Sequence, residues 1–124
     1  MINIFNIRAG AQWVGMTGVR KGFVEFQNRD YAIRAWLLLM RTYRRRYGCR
    51  TVRQIVTRYA PPTENDTRSY VDFCARHIGI GADEQLTSLM QYAALAQAMA
   101  RMETGTRIQQ DDVLEVMNKF YIVI

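Results

Sequence analysis

The chain has 124 residues, 49% of them hydrophobic and 23% charged, and a net charge of +6. That length suits one domain with a core of its own, and the composition argues against disorder. Two cysteines and one histidine argue against a disulfide framework, a zinc site or a histidine-based triad, so neither metal nor cofactor is expected.

Arginine carries nearly all the positive charge, since Lys21 and Lys119 are the only lysines. Nine arginines fall between Arg29 and Arg58, opposed there by a single acid, Asp30. Such asymmetry suits a polyanionic partner (nucleic acid, anionic lipid or an acidic cell-wall polymer) or else an ordinary solvated helix face. The first residues lack the charged start and apolar run of a signal peptide. The longest apolar run, residues 35–40, is too short to span a membrane. A soluble protein synthesised in a cytoplasm is the expectation.

Residues 2–8 alternate in polarity and read as a short strand broken by Gly10, with residues 23–26 as the returning strand. Trp13 and a loop with Gly15, Gly18 and Gly22 lie between them. A helix follows over residues 30–47, capped by Asn28 or Asp30. Its apolar face is Ile33, Trp36, Leu37, Met40, Tyr43 and Tyr47, with Gly48 ending it. This face predicts the most buried helix of the domain. A second, short helix carries Val52, Ile55, Val56 and Tyr59, and must stop at Ala60-Pro61-Pro62, because proline displaces its predecessor from the α region.

Thr63, Asn65, Asp66 and Thr67 offer caps for a third helix over residues 66–78, with Tyr70, Phe73, Cys74 and Ile78 inward and Gly79 beyond. His77 falls late on it and reads as a surface residue. Asp83 or Thr87 is expected to open a fourth helix, residues 86–102. Its alanine-rich face permits close packing, and Met90, Met99 and Met102 fill the core. Gly105 breaks it. The last helix spans residues 110–121, with Asp111 and Asp112 suited to its N-terminal dipole. The apolar tail, residues 120–124, packs on the domain or mediates assembly. The reading is one α+β, mainly helical domain over residues 1–124, with a small antiparallel sheet in 1–27 and helices in 28–124.

No phosphate-binding glycine loop or nucleophile elbow occurs, which leaves the carboxylates Glu25, Asp30, Glu64 and Asp66. Two carboxylates across a cleft suffice for glycoside cleavage, one as acid and one as base or nucleophile. Glu64 stands between a rigid Pro-Pro and a helix N-terminus, a position equally suited to capping. If it is catalytic, the helix dipole and nearby arginines favour its ionised form, and hence a general base.

The run Asn3-Ile4-Phe5-Asn6-Ile7-Arg8, followed by Trp13, Gly15, Gly22-Phe23 and Phe26, resembles the Asn-Pro-x-Asn-Ile-Arg opening of a phage and prophage family of virion structural proteins and lysins. The likeness continues through Tyr31-Ala32-Ile33-Arg34-Ala35 and Arg46-Tyr47-Gly48. It ends in Ala60-Pro61-Pro62, Glu64-Asn65-Asp66-Thr67 and Tyr70, and covers about residues 3–81. The hairpin is also similar to the sheet of glucosaminidase-type and lytic-transglycosylase members of the lysozyme superfamily, where such a strand lines the sugar groove. The resemblance implies a lysozyme-like fold and a peptidoglycan-cleaving glycosidase acting from the virion or at the bacterial wall. It implies Glu64 and Glu25 as candidate catalytic groups, with Asn6, Arg8, Trp13, Phe23 and Tyr59 binding substrate.

Two features depart from that pattern. The family's proline is Ile4 here, and the general acid of lysozyme-like enzymes belongs to a helix ahead of the sheet, for which this sequence offers no residues. A non-catalytic virion protein that meets other virion proteins, or itself, through the apolar tail is the rival reading. A nucleic-acid-binding module rests on the arginines alone, without a recognition motif.

Overall fold

The computed structural model of the protein describes residues 1–63 and 65–124. Strands β1 (Met16–Arg20) and β2 (Phe23–Phe26) precede five helices: α1 (Arg29–Tyr47), α2 (Val52–Tyr59), α3 (Thr67–Ile78), α4 (Leu89–Thr104) and α5 (Gln110–Lys119). The fold is α+β and mainly helical, with its two-stranded antiparallel sheet at the N-terminal end.

The sheet differs from the one expected. β2 pairs with β1, with Met16 opposite Phe26 and Arg20 opposite Phe23. Lys21 and Gly22 form the tight turn, both at positive φ (52° and 85°), the backbone that matches the twist of paired strands. Gly18 and a bulge next to it hide β1 from an alternation test. Residues 2–8 are not a strand. They meet β2 only at both ends, where Ile2 bridges Phe26 and Arg8 bridges Phe23. Between those bridges the chain folds into a turn. The Asn3 side chain accepts from the Asn6 amide at 2.9 Å and donates to Asn6 Oδ1 at 2.7 Å, while Asn6 takes φ 52°. Asparagine tolerates that left-handed backbone and competes with strand pairing through such side-chain bonds. Ile4, Phe5 and Ile7 are consequently all buried, which strict alternation forbids.

The helix ends follow local chemistry. Asn28 caps α1, accepting from Tyr31 N, and Gly48 closes it in the left-handed region. Thr51 and Gln54 form a capping box on α2, which stops at Tyr59 before Pro61. Asp66 caps α3, and Gly79 closes it. α4 starts later than expected, because Ser88 with Gln91 makes the capping box rather than Asp83 or Thr87. Leu86 belongs instead to the connection, where it is buried and its amide bonds Arg50 O at 2.8 Å.

One hydrophobic cluster joins every element. Phe5 stacks on Trp36 with ring centroids 5.5 Å apart, so the N-terminal segment lies directly on α1. Leu37 is fully buried, as expected, but α1 is not the most buried helix. Seven of its 19 residues are buried against eight of 16 in α4, whose alanines let it sit between α3 and α5. Tyr47, Phe73, Met90 and Met102 were expected in the core and are exposed. Tyr47 is the last residue of α1, Met90 and Met102 lie in the end turns of α4, and Phe73 stacks on His77 with ring centroids 6.5 Å apart. At the C-terminus Ile122 is buried while Tyr121 and Val123 face solvent, so the tail packs on the domain through alternate residues. No described helix is long and apolar enough to cross a membrane.

Candidate functional site

The turn at Asn3–Asn6 carries the N-terminal segment across the ends of two distant helices. Tyr59, at the last turn of α2, donates its hydroxyl to Phe5 O. Thr104, at the end of α4, donates to Ile4 O at 2.8 Å. Asn6 Nδ2 lies 3.1 Å from Glu103 O and 3.2 Å from Glu103 Oε1, so one amide aligns both the helix end and its carboxylate. These bonds place three polar side chains, Asn6, Arg8 and Tyr59, along the rim of two adjoining cavities of about 440 Å³ each.

In the first cavity Phe23 stands at the hairpin turn, while Asn65, Asp66 and Ser69 come from the start of α3. Tyr70, Met102 and Glu103 close it. The second cavity runs on past Trp13, Tyr43 and Arg58 to Pro61. Arg58 lies 3.5 Å from the centre of the Tyr47 ring and 5.4 Å from that of Tyr43, a cation–π stack that stiffens this wall. Gly15 is also needed behind Trp13. Its φ is +81°, and a Cβ there would come within 2.2 Å of the Tyr31 ring.

Electrostatics separate the lining groups. Hydrogen bonds from the Ser69 hydroxyl and then its amide hold the Asp66 carboxyl below its ordinary range, so it stays ionised. Burial first, and the Glu103 carboxylate second, push the Tyr59 and Tyr70 phenols up and the Cys74 thiol to about 12. Those three groups remain neutral donors around Glu103. Burial likewise pushes Tyr43 up to about 12, against the opposing pull of Arg58. Trp13 Nε1 is buried without a hydrogen-bond partner among the described residues, and the Tyr70 hydroxyl, buried too, interacts with the Glu103 carboxylate.

Of the residues singled out in the sequence, Asn6, Arg8, Phe23 and Tyr59 come together in the first cavity and Trp13 lines the second. Glu25 does not join them. It pairs with Gly18 inside the hairpin, half-buried and outside both linings, because the groove crosses only the Phe23 end of β2. Glu64 lies outside the described residues; its neighbours Asn65 and Asp66 reach the first cavity. Glu103 was not singled out. Its signal was an acid in the last turn of a helix, where the dipole disfavours negative charge and a carboxylate needs a local reason. Among the described residues no group of three His, Cys, Asp or Glu side chains is arranged to hold a metal ion.

The arginine face is largely engaged. Arg53 pairs with Asp83 at 2.8 Å and Arg29 with Asp112 at 3.3 Å, while Asp30 takes Lys119 at 3.0 Å. Arg34 lies over the Phe120 ring. Arg44 donates to Leu86 O and Arg45 to Val123 O, both at 3.3 Å. Asp30, the one acid within residues 29–58, is thus joined in space by Asp83 and Asp112.

No family model matches the chain. It is 37% identical over 99 residues to Protein P5 of Pseudoalteromonas phage PM2. The match takes in 78% of this chain and 61% of that protein, so the chain spans under two thirds of its relative's length. The chain is therefore similar to a phage protein.

Proposed function

We propose that the groove holds a glycan strand of peptidoglycan and that the protein is a phage-type glycosidase of the lysozyme or lytic transglycosylase class. The observation that carries this reading is the Glu103 carboxylate, aligned by Asn6 inside a groove that also carries Arg8, Tyr59, Phe23 and Trp13. Sugar rings stack on aromatic faces and bond to amides and guanidinium groups, and this lining offers both. The unpartnered donor of Trp13 adds polar capacity to the same walls.

The resemblance to lysozyme-like enzymes asks for a glutamate on a helix ahead of the sheet. α4 brings a glutamate-bearing helix end to the Asn3–Ile7 turn from later in the chain, which answers that departure. In the proposed step the protonated form of Glu103 gives its proton to the glycosidic oxygen as the C1–O bond breaks. Water then captures C1 in a hydrolase, or the sugar's own hydroxyl does so in a transglycosylase, and the now ionised Glu103 takes back the proton released. Ionised Asp66, on the same cavity, faces the positive charge that develops on the ring. Glu64, beside Asn65, is retained as a candidate base.

Action from a virion or at the wall belongs to the same proposal, supported by the similarity to a phage protein. The second reading is a non-catalytic virion protein that uses the apolar strip of Leu89, Leu114, Tyr121 and Val123 for assembly. A nucleic-acid module has less support, since so many of the arginines have internal partners. Turbidity clearing of purified cell walls tests the choice, with Glu103→Gln and Glu64→Gln alongside. Clearing by the wild type that Glu103→Gln abolishes selects the glycosidase with Glu103 as its acid. Clearing lost only in Glu64→Gln moves the role there, and no clearing by any form leaves the assembly reading.

A further inference from the structure

A third cavity, of about 320 Å³, opens where α3 meets α4 and the connection to α5. Its charged and aromatic lining is Phe73, His77, Arg101 and Arg107, with Gln97 between them. Among the described residues no carboxylate lines it. Arg101 donates to Gly105 O at 3.1 Å, and neither arginine makes an ion pair among the described residues. Gln97 is locked: its amide donates to Ile108 O at 2.9 Å, and its oxygen accepts from Gln110 Nε2 at 3.1 Å. His77 Nε2, 3.0 Å from that same oxygen, therefore carries its hydrogen toward Gln97.

This cavity continues the groove. Ser69, Phe73 and His77 fall at i, i+4 and i+8 on one stripe of α3; the first lines the groove and the other two the third cavity. α4 contributes in the reverse order, Glu103 and Met102 to the groove, then Arg101 and Gln97 beyond. The seam between is open, with Phe73 39% and Met102 40% exposed. The offset along α3 from Ser69 is roughly 6–12 Å, the reach of a short branch from a strand lying in the groove.

We propose that this cavity is a subsite for the carboxylate-bearing peptide stems of peptidoglycan, with Arg101 and Arg107 pairing the carboxylates and Phe73 covering the aliphatic part of the stem. The assignment rests on the glycan reading of the groove. Guanidinium groups suit it because they take carboxylates in a fixed two-point geometry.

The test compares sedimentation with intact sacculi against glycan strands stripped of their stems, for wild type, Arg107→Gln and Arg101→Gln/Arg107→Gln. Arg107 makes no hydrogen bond or ion pair among the described residues, so its single variant keeps the fold even if loss of the Arg101–Gly105 bond loosens the loop in the double one. The wild type should hold intact sacculi about tenfold more tightly than stripped strands, the scale of one charge-assisted bond, and the variants should hold both alike. Equal binding of both materials by the wild type overturns the subsite while leaving the groove. If neither material binds, the groove reading fails and free stem peptide decides alone. Shifts of the His77 ring resonances on adding that peptide, absent in Arg107→Gln, uphold the subsite, and no shift in the wild type overturns it.

Discussion

The groove and the outer face of α1 are both rich in polar side chains, yet they use them in opposite ways. Along α1 and α2 the cations are engaged one by one: Arg53 with Asp83, Arg29 with Asp112, Arg34 on Phe120, Arg45 on Val123 O. In the groove, Asn6, Tyr59, Tyr70 and Glu103 converge from residues far apart in sequence, and Trp13 keeps a donor without a partner among the described residues. Charge counted along a chain measures what is present. Convergence in space decides what is available to a ligand.

The sharpest way to break this contrast is Glu103→Gln. If the groove is catalytic, wall clearing falls by about 10²–10⁴-fold, the usual contribution of a positioned acid or base. The melting temperature should hardly move, because glutamine keeps the acceptor that Asn6 bonds. A stable variant that clears as fast as wild type would leave Glu103 a structural acceptor.

Asn6→Ala comes next and acts on both stability and clearing. It removes the bond to Glu103 and puts a Cβ-bearing residue without a compensating side chain at φ 52°, for a loss of about 1–3 kcal/mol in chemical denaturation. Asn6→Gly relieves the backbone alone, so the gap between the two variants isolates that part. A neutral Asn6→Ala would show that the turn at residues 3–6 is not what holds the segment.

On the other face, Arg34→Gln and Arg45→Gln should each cost about 0.5–1 kcal/mol, through a lost cation–π or hydrogen-bond contact. Retention on heparin should change little, since these cations already have partners. A steep, salt-dependent loss of retention would return the arginine face to the role its composition suggests.

The smallest effect concerns pH. The folded-state pKa of Asp66 is depressed, so its contribution is full above the unfolded value of about 3.9 and is lost as pH falls through the lower folded value. Asp66→Asn keeps a capping oxygen but does not titrate. Thermal melts at pH 7 and then below 4 should show the wild type losing more than the variant. Parallel curves would mean that Ser69 does not bond the ionised carboxylate.

What could be read from the sequence was whatever chemistry is local. Pro61, Gly48, Gly79 and Gly105 ended helices where expected, because a missing amide or a left-handed residue acts within one turn. The apolar stripe of α1 and the α+β class followed from periodicity. The five binding candidates came from the resemblance, and the groove gathers all of them. The strand over residues 2–8 failed because two asparagine side chains outcompeted pairing, which alternation cannot register. Glu103 was missed because its meaning depends on Asn6, 97 residues away. The pairings of Arg29 and Arg53 hid behind separations of the same kind.

That separation has a kinetic consequence. Joining Asn6 to Glu103 closes a loop of 97 residues, a chain-entropy cost of about 4 kcal/mol before any constant. Contacts so distant form late, after helices that are locally encoded. The carboxylate therefore meets the segment that orients it only after α4 has been synthesised and docked. A nascent chain that ends before residue 103 lacks Glu103 and Thr104, and with them the bonds that hold the turn at residues 3–6 to α4. Topology thus sets the order of assembly, since both ends of the chain must be in place before the groove exists.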